Sequence, residues 1–213
     1  MTENLSEKSC MDFCAALASD APVPGGGGAA ALSGALTASL CAMAARLTMS
    51  KPAFADRAGE LNALVTRADD LRLWLLRLID GDAEGFLPLS KAYAIPKDEP
   101  DRAETLRRAT LAACQAPAEM MEALAQCTAL LENLLQNCSR LMLSDVGCAA
   151  ALCAGALEAA AMNVYVNTKS LKGDPEAEAL ALRISRLLDD CLPRARAVSS
   201  QVLSLLREED KNG

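Results

Sequence analysis

Two alanine-rich segments limit the folds open to this chain more than any other feature of its sequence. Residues 29–45 carry no charge, and Glu158 is the only charge between Asp145 and Lys169. In both segments small residues recur at every fourth position: Ala30, Gly34, Ala38 and Ala42 in the first, and Gly147, Ala151, Gly155 and Ala159 in the second. Residues four apart share a helix face, and small side chains let another backbone come close to it. The pattern predicts two closely packed helices.

Hydrophobic periodicity predicts about four more helices and no strand. Aromatic residues make up only 3% of the chain, which disfavours sheets. The predicted elements are a short helix from Ser9 to near Asp20, one over 29–45, a long amphipathic one over 55–92, one from Asp101 to about Cys138 with a kink at Pro117, one from Ser144 to about Thr168, and a last one from Asp174. The expected fold class is all-α: a single-domain bundle of about six helices over residues 1–213, two of them Ala/Gly-rich.

Composition and charge limit the classes of partner that we expect for this chain. The two small-residue faces exceed what the core of one chain needs, so we expect a homodimer. A net charge of −7 without a run of Lys or Arg argues against a nucleic-acid surface. Residues 29–45 are short for a membrane span and lack an aromatic belt, so we expect no membrane partner. Nine cysteines without a C-x-x-C pair, and no signal-peptide pattern, indicate the cytoplasm.

The chain contains no histidine. This excludes Ser-His and Cys-His catalytic arrangements and argues against a catalytic zinc site, which nearly always uses imidazole ligands. We therefore expect no metal site. Separately, we expect no cofactor. Acid–base chemistry must use Asp, Glu, Lys, Cys or Tyr.

Asp82 is the carboxylate in the most informative position. On a helical wheel it falls in the apolar stripe of the long helix, beside Leu78, Ile79 and Phe86, whereas Asp80 lies to the side. An inward carboxyl is desolvated, which raises its pKa, keeps it protonated near neutral pH and makes it a ready general acid. The alternative is that Asp82 lies where the helix frays and only caps it.

Several other polar or flexible positions each allow two interpretations. The run Gly25, Gly26, Gly27 and Gly28 follows Pro22-Val23-Pro24 and is either a linker or a nest of backbone N–H groups at a helix start. Asn163 and Asn167 share one helix face and are either site groups or interface hydrogen-bond partners. For Glu158 an ion pair with a basic residue on another helix is favoured over a site role.

Four segments, in order along nearly the whole chain, together resemble the cyclodeaminase and methenyl-tetrahydrofolate cyclohydrolase family. They are PVPGGGGAAALSGALTASLCAMAARLT, IDGDAEGF, AIPK and SDVGCAAALCAGALEAAAMNVYVN. The resemblance implies a helical bundle that pairs into dimers and binds tetrahydrofolate in a cleft formed by the glycine segment and the long helix. Some members release ammonia from 5-formimino-tetrahydrofolate, and others hydrolyse the 5,10-methenyl bridge to 10-formyl-tetrahydrofolate.

The resemblance also implies roles for individual residues. The family's proposed proton donor falls at Asp82, and Asp145 is a second carboxylate that could stabilise the positive charge of the methenyl group. Gly25, Gly26, Gly27, Gly28, Asn163 and Asn167 are the expected substrate-binding residues. Gly28 replaces a frequent serine, so a hydroxyl contact is lost there. The alternatives are a non-catalytic folate-binding relative and a helical dimerisation or adaptor protein, and the sequence leaves the dominant reaction and the preferred glutamate tail open.

Overall fold

Helices form nearly all of the regular structure in residues 4–209, the part of the chain that the computed structural model describes. Within this part there is no strand, and the predicted all-α bundle is confirmed. The α-helices are α1 (Cys10–Leu17), α2 (Gly26–Met49), α3 (Ala58–Tyr93), α4 (Arg102–Ala113), α5 (Gln115–Asn137), α6 (Leu143–Thr168) and α7 (Pro175–Glu209). Short 3₁₀ turns cover Leu5–Glu7, Pro52–Arg57, Arg140–Met142 and Lys169–Leu171.

The helix predicted between Asp101 and Cys138 is two helices, α4 and α5, which meet at Cys114. We expected a kink at Pro117, but the chain breaks three residues earlier. Pro117 has no N–H to donate to the carbonyl of Ala113, four residues before it, and a proline is readily accommodated in the first turn of a helix. The break therefore precedes the proline, and Pro117 lies in the first turn of α5.

The glycine run also differs from its predicted structure. The helix predicted over 29–45 begins three residues earlier: Gly25 is the N-cap, and Gly26, Gly27 and Gly28 form the first turn of α2. The first-turn N–H groups of a helix have no partner within it, so this turn presents donors to its surroundings. Of the two interpretations, the structure matches the helix-start nest.

Helix α2 runs through the middle of the bundle and packs against α3, α5 and α6. It is antiparallel to α6, because Gly26 lies beside Asn163 while the Thr37 hydroxyl donates to the Ala149 carbonyl at 3.3 Å. One large apolar core joins α2, α3, α5, α6 and α7, and a smaller cluster joins the end of α3 to α4. The single-domain bundle follows from this shared core.

Two helices, Gly26–Met49 and Arg140–Leu171, are long and apolar enough to cross a membrane by length and composition alone. In the fold, 61% of the apolar stretch of the first and 44% of that of the second are buried. Core helices of soluble proteins meet the same criterion, so these two helices are weak evidence for a membrane span.

Candidate active site

A cleft of about 230 Å³ opens where the glycine turn of α2 faces α3, the α4–α5 junction and the end of α6. Six of the eight predicted site residues line it: Gly25, Gly26, Gly27, Asp82, Asn163 and Asn167. These residues come from three separate segments, and the fold brings them together. The other lining residues are Pro22, Val23, Phe86, Ala113, Pro117 and Val166.

Asp82 lies directly against the glycine turn. A β-carbon at Gly27 would overlap the Asp82 carboxyl, which leaves no room for any side chain at that position. The backbone N–H of Gly28 donates a hydrogen bond to Asp82. The positive end of the α2 dipole, with its free N–H groups, therefore points at the carboxyl that the apolar stripe of α3 turns inward.

Burial raises the pKa of Asp82 to about 6, and the hydrogen bond from Gly28 opposes part of that rise. This upward shift of the pKa has the predicted direction. A pKa of about 6 lies close enough to neutral pH for both the protonated and the ionised carboxyl to be populated. Asp82 can therefore accept a proton in one reaction and donate one in another.

Asn163 and Asn167 face the cleft from α6. The Asn163 amide nitrogen donates to the Ala159 carbonyl at 2.8 Å, and its side chain lies beside Gly26. The Asn167 side chain hydrogen-bonds Cys114, whose pKa rises to about 11 because the thiol is buried at the α4–α5 junction. Both amides are thus held by the protein at the wall of the cleft.

The two remaining predicted residues do not line the cleft. Gly28 faces the other way, since a β-carbon there would lie 3.3 Å from the Pro24 side chain and 3.8 Å from the Phe13 ring, and it contributes only its N–H. Asp145 lies in the first turn of α6, and the eighteen residues that separate it from Asn163 span about 27 Å of helix. In a single chain Asp145 is too far away to act on a group bound at Asp82.

Two further carboxylates have structural partners. Asp80 accepts hydrogen bonds from the amino-terminal 3₁₀ turn, from the backbone N–H of Leu5 and from Ser6. Glu158 forms an ion pair with Arg196 of α7 at 2.8 Å, which is the favoured interpretation of that residue. Among the described residues, no group of three or more His, Cys, Asp or Glu side chains could hold a metal ion.

Sequence reasoning missed the wall formed by the α4–α5 junction. Ala113 and Pro117 line the cleft because the helix ends between them. The signal was present, since Pro117 removes the N–H that would have continued α4, but it was interpreted as a kink rather than a break.

Comparison with known proteins places these features among named relatives. A family model described as formiminotransferase-cyclodeaminase matches residues 9–186. The chain is 31% identical over 201 residues to the methenyltetrahydrofolate cyclohydrolase of Methylorubrum extorquens, which covers 92% of this chain and 95% of that protein. It is 28% identical to the formimidoyltransferase-cyclodeaminase of Mus musculus, but spans only 37% of that protein's length.

A solved structure shares the fold. The formiminotetrahydrofolate cyclodeaminase of Thermotoga maritima superposes with a TM-score of 0.81, covering 93% of this chain and 99% of that one. The sequence identity between the two is 24%, so this likeness concerns the architecture.

Proposed function

The chain belongs to the formiminotransferase-cyclodeaminase family, and from this premise we propose that it is an enzyme acting on the one-carbon bridge between N5 and N10 of tetrahydrofolate. The observation that carries the proposal is the desolvated Asp82 carboxyl facing the glycine turn of α2 inside a cleft. A carboxyl in this setting can move a proton at the bridge carbon, which is what both reactions of such relatives require.

We favour hydrolysis of 5,10-methenyl-tetrahydrofolate to 10-formyl-tetrahydrofolate. In this direction the ionised Asp82 takes a proton from water as the water oxygen bonds to the methenyl carbon. The N5–carbon bond then breaks as N5 takes up the proton held by Asp82, and the new hydroxyl releases its remaining proton to solvent, so that its oxygen becomes the formyl oxygen on N10. One observation supports this direction: the cyclohydrolase relative matches this chain nearly end to end.

The same carboxyl serves the deaminating cyclisation when it is protonated. N10 of 5-formimino-tetrahydrofolate, with its formimino group protonated, attacks the formimino carbon. Asp82 transfers its proton to the exocyclic NH2, and the carboxylate so formed takes up the proton that N10 loses. The bond from carbon to that nitrogen then breaks, and ammonia leaves with the methenyl bridge closed. We propose this as the secondary activity.

We propose that the cleft binds the pterin end of the folate. Phe86 offers an aromatic ring for stacking, Asn163 and Asn167 offer amides for the polar edge, and Gly26 and Gly27 let the ligand approach the backbone. Besides water, the proposed reactions need no small molecule other than the tetrahydrofolate derivative, and no metal or cofactor. Asp145 has no part in it.

We further propose a cytoplasmic homodimer. Helices α2 and α6 lie side by side and both turn apolar residues outward: Leu36 is 48% exposed, Leu47 44%, Met162 64% and Val166 67%. Exposed apolar side chains on adjacent helices are typical of an interface with a second copy. All nine cysteines are free, in keeping with a reducing compartment.

The decisive experiment compares two turnovers on one preparation. Loss of methenyl absorbance reports hydrolysis, and ammonia release from 5-formimino-tetrahydrofolate reports deamination; we expect the first to be faster. A thermal-shift titration with the same folates tests binding separately, since a ligand that binds the folded state raises its stability. Binding without turnover would identify a non-catalytic relative, and no binding would favour the adaptor alternative.

A further inference from the structure

The amino-terminal end of the chain is fastened to the turn of α3 that carries Asp82. The Asp80 carboxylate accepts three hydrogen bonds there: from the Leu5 N–H at 2.6 Å, from the Ser6 N–H at 3.3 Å and from the Ser6 hydroxyl at 2.5 Å. Asp80 thus satisfies donors at the start of the Leu5–Glu7 turn, much as a capping side chain does at a helix start. We call this contact the clasp.

The segment that follows the clasp leads directly to the glycine turn. It runs through α1 and the Pro22–Pro24 stretch, and we call residues 4–24 the strap. Phe13, only 4% exposed, fixes the middle of the strap in the core, and its ring reaches toward Gly28. Pro24 packs against Gly28 at the end. The strap is therefore held at Asp80 and at Phe13, and it ends on the turn that donates to Asp82.

The strap itself lies on the surface. Met11 of α1 is 83% exposed and Leu17 37% exposed, so the helix buries little apolar area beyond Phe13. A segment with few buried contacts opens more easily than the bundle beneath it. Hydrogen bonds to a charged group, such as those in the clasp, are therefore a large part of what holds it in place.

From these contacts we infer that Asp80 is a positioning residue: its clasp on Leu5 and Ser6 holds the strap so that the glycine turn stays against Asp82. This inference rests on the proposed function of the cleft. Asp80 does not line the cleft, and it acts through the strap. Two carboxylates two residues apart on α3 thereby have separate duties, one in the reaction and one in holding the donor turn.

The clasp can be opened from either side without touching the cleft. Asp80→Asn keeps the size of the side chain and removes its charge. Leu5→Pro removes the N–H that bonds Asp80 at 2.6 Å, and proline suits the first position of the turn because the preceding Asn4 is extended, with φ −62° and ψ 121°. Leu5→Ala is the matched control, since it loses the side chain but keeps the N–H.

Asp69→Asn is a second control on the same helix. Asp69 also accepts charged hydrogen bonds, from Arg46 and Arg72, but it lies eleven residues before Asp80 and does not line the cleft. It reports the effect of removing one paired carboxylate from α3. Any effect of Asp80→Asn beyond that of Asp69→Asn belongs to the clasp.

Hydrogen exchange and folate kinetics on the full chain test the inference together. In Asp80→Asn and Leu5→Pro, beyond any change in the two controls, we expect faster exchange across residues 18–28 as well as 4–9. We expect the KM for methenyl-tetrahydrofolate to rise about tenfold, because a turn that is in place only part of the time lowers apparent affinity by that fraction. The kcat should change little, and its pH midpoint should stay at the wild-type value. The double variant should be no worse than either single one.

Each outcome has a clear meaning. Faster exchange confined to residues 4–9, with KM unchanged, would overturn the inference and leave Asp80 a purely local cap. A lower kcat with a shifted pH midpoint would overturn it too, because Asp80 would then act on the reaction itself. If wild-type protein neither binds nor turns over folates while the exchange pattern appears as expected, the proposed function fails and the clasp stands.

Discussion

The first turn of α2 and the turns that follow it use small residues for opposite purposes. At Gly27 a side chain is excluded by a carboxyl, and the polar neighbours of the turn are Asp82 and Asn163. At Gly34 the neighbours are apolar, since a β-carbon would lie 3.0 Å from Leu75 and 3.1 Å from Leu124. The missing side chain gives the first turn room for a reactive group and gives the rest of the helix a close apolar fit. Small-residue spacing therefore predicts close approach, but not what is approached.

The largest expected effect is on turnover, and it comes from Asp82, which faces the first turn of α2. Asp82→Asn keeps the size of the side chain and an acceptor for the Gly28 N–H but cannot exchange a proton, so turnover should fall by about 10²–10⁴-fold, with folate binding little changed. Steady-state kinetics on both folates, with affinity from calorimetry, provide the measurement. If most of the activity survives on both substrates, the proton is carried by another group.

Further along α2, where the neighbours are apolar, Gly34→Leu should lower the stability of the fold and leave the catalytic group in place. The added side chain must displace Leu75 and Leu124 in a packed core, which we expect to cost about 3 kcal/mol of unfolding free energy. Urea denaturation measures it. The contacts of Gly34 lie within one chain, so this variant tests the core and not the homodimer expected from the small-residue faces. Unaltered stability would mean that the α2 groove is looser than its distances imply.

Gly27→Ala makes the same kind of change, an added side chain, in the first turn of α2 beside Asp82. Its β-carbon must push Asp82 away from the turn, and we expect kcat/KM to fall about 10–100-fold with the helical circular dichroism signal intact. Gly81→Ala is the matched control, because its β-carbon meets the Ala116 side chain at an ordinary 3.7 Å and Gly81 does not line the cleft. Equal activity in the two variants would contradict the close packing of the Asp82 carboxyl against Gly27.

We also expect the buried Asp82 carboxyl to lower the unfolding free energy by an amount that depends on pH. Because the pKa of Asp82 rises to about 6 in the folded state from its ordinary value of 3.8, its contribution to stability declines as pH rises from about 4 to 6 and stays low above that range. Asp82→Asn should thus exceed wild type in unfolding free energy by about 1–2 kcal/mol at pH 7.5, and the gain should vanish near pH 4. Chemical denaturation at both pH values tests this; a gain independent of pH would assign it to packing.

The smallest effect on the single chain is expected at Gly155. A β-carbon there meets nothing within 4 Å, unlike one at Gly147 on the same small-residue face, which would lie 2.7 Å from Val202. Gly155→Leu should leave the unfolding free energy of a single chain within about 0.5 kcal/mol of wild type. If a second copy covers this face, the variant should be monomeric by light scattering. A wild-type monomer with full activity would refute the homodimer.

The sequence predicted the features that depend on helix geometry alone. The stripe through Leu78, Ile79 and Phe86 placed Asp82 inward because side-chain direction follows from a period of 3.6 residues. Meeting points between segments were harder to predict. The positions of Asn163 and Asn167 opposite Gly26 depend on the antiparallel register of α2 and α6, which no local pattern encodes.

Where the prediction was incomplete, a tertiary contact overrode a local preference. Glycines are poor helix formers, so Gly26 to Gly28 favoured a loop, yet the Asp82 carboxyl against Gly27 requires a turn without side chains. Asp145 has the same residue type as Asp82, but it lies in the first turn of α6. Only the length of α6 reveals that it lies at the wrong end of the bundle.

The position of Asp80 and Asp82 on a single turn of α3 restricts which insertions and deletions this chain can tolerate. One residue added between them would rotate Asp82 by about 100° and shift it by about 1.5 Å relative to Asp80. The strap and the cleft would then lose their common register, although every side chain involved would still be present. Length changes earlier in α3 or in the loop after Tyr93 leave that spacing intact. The spacing between Asp80 and Asp82 is thus fixed, and we expect insertions and deletions to occur elsewhere in the chain.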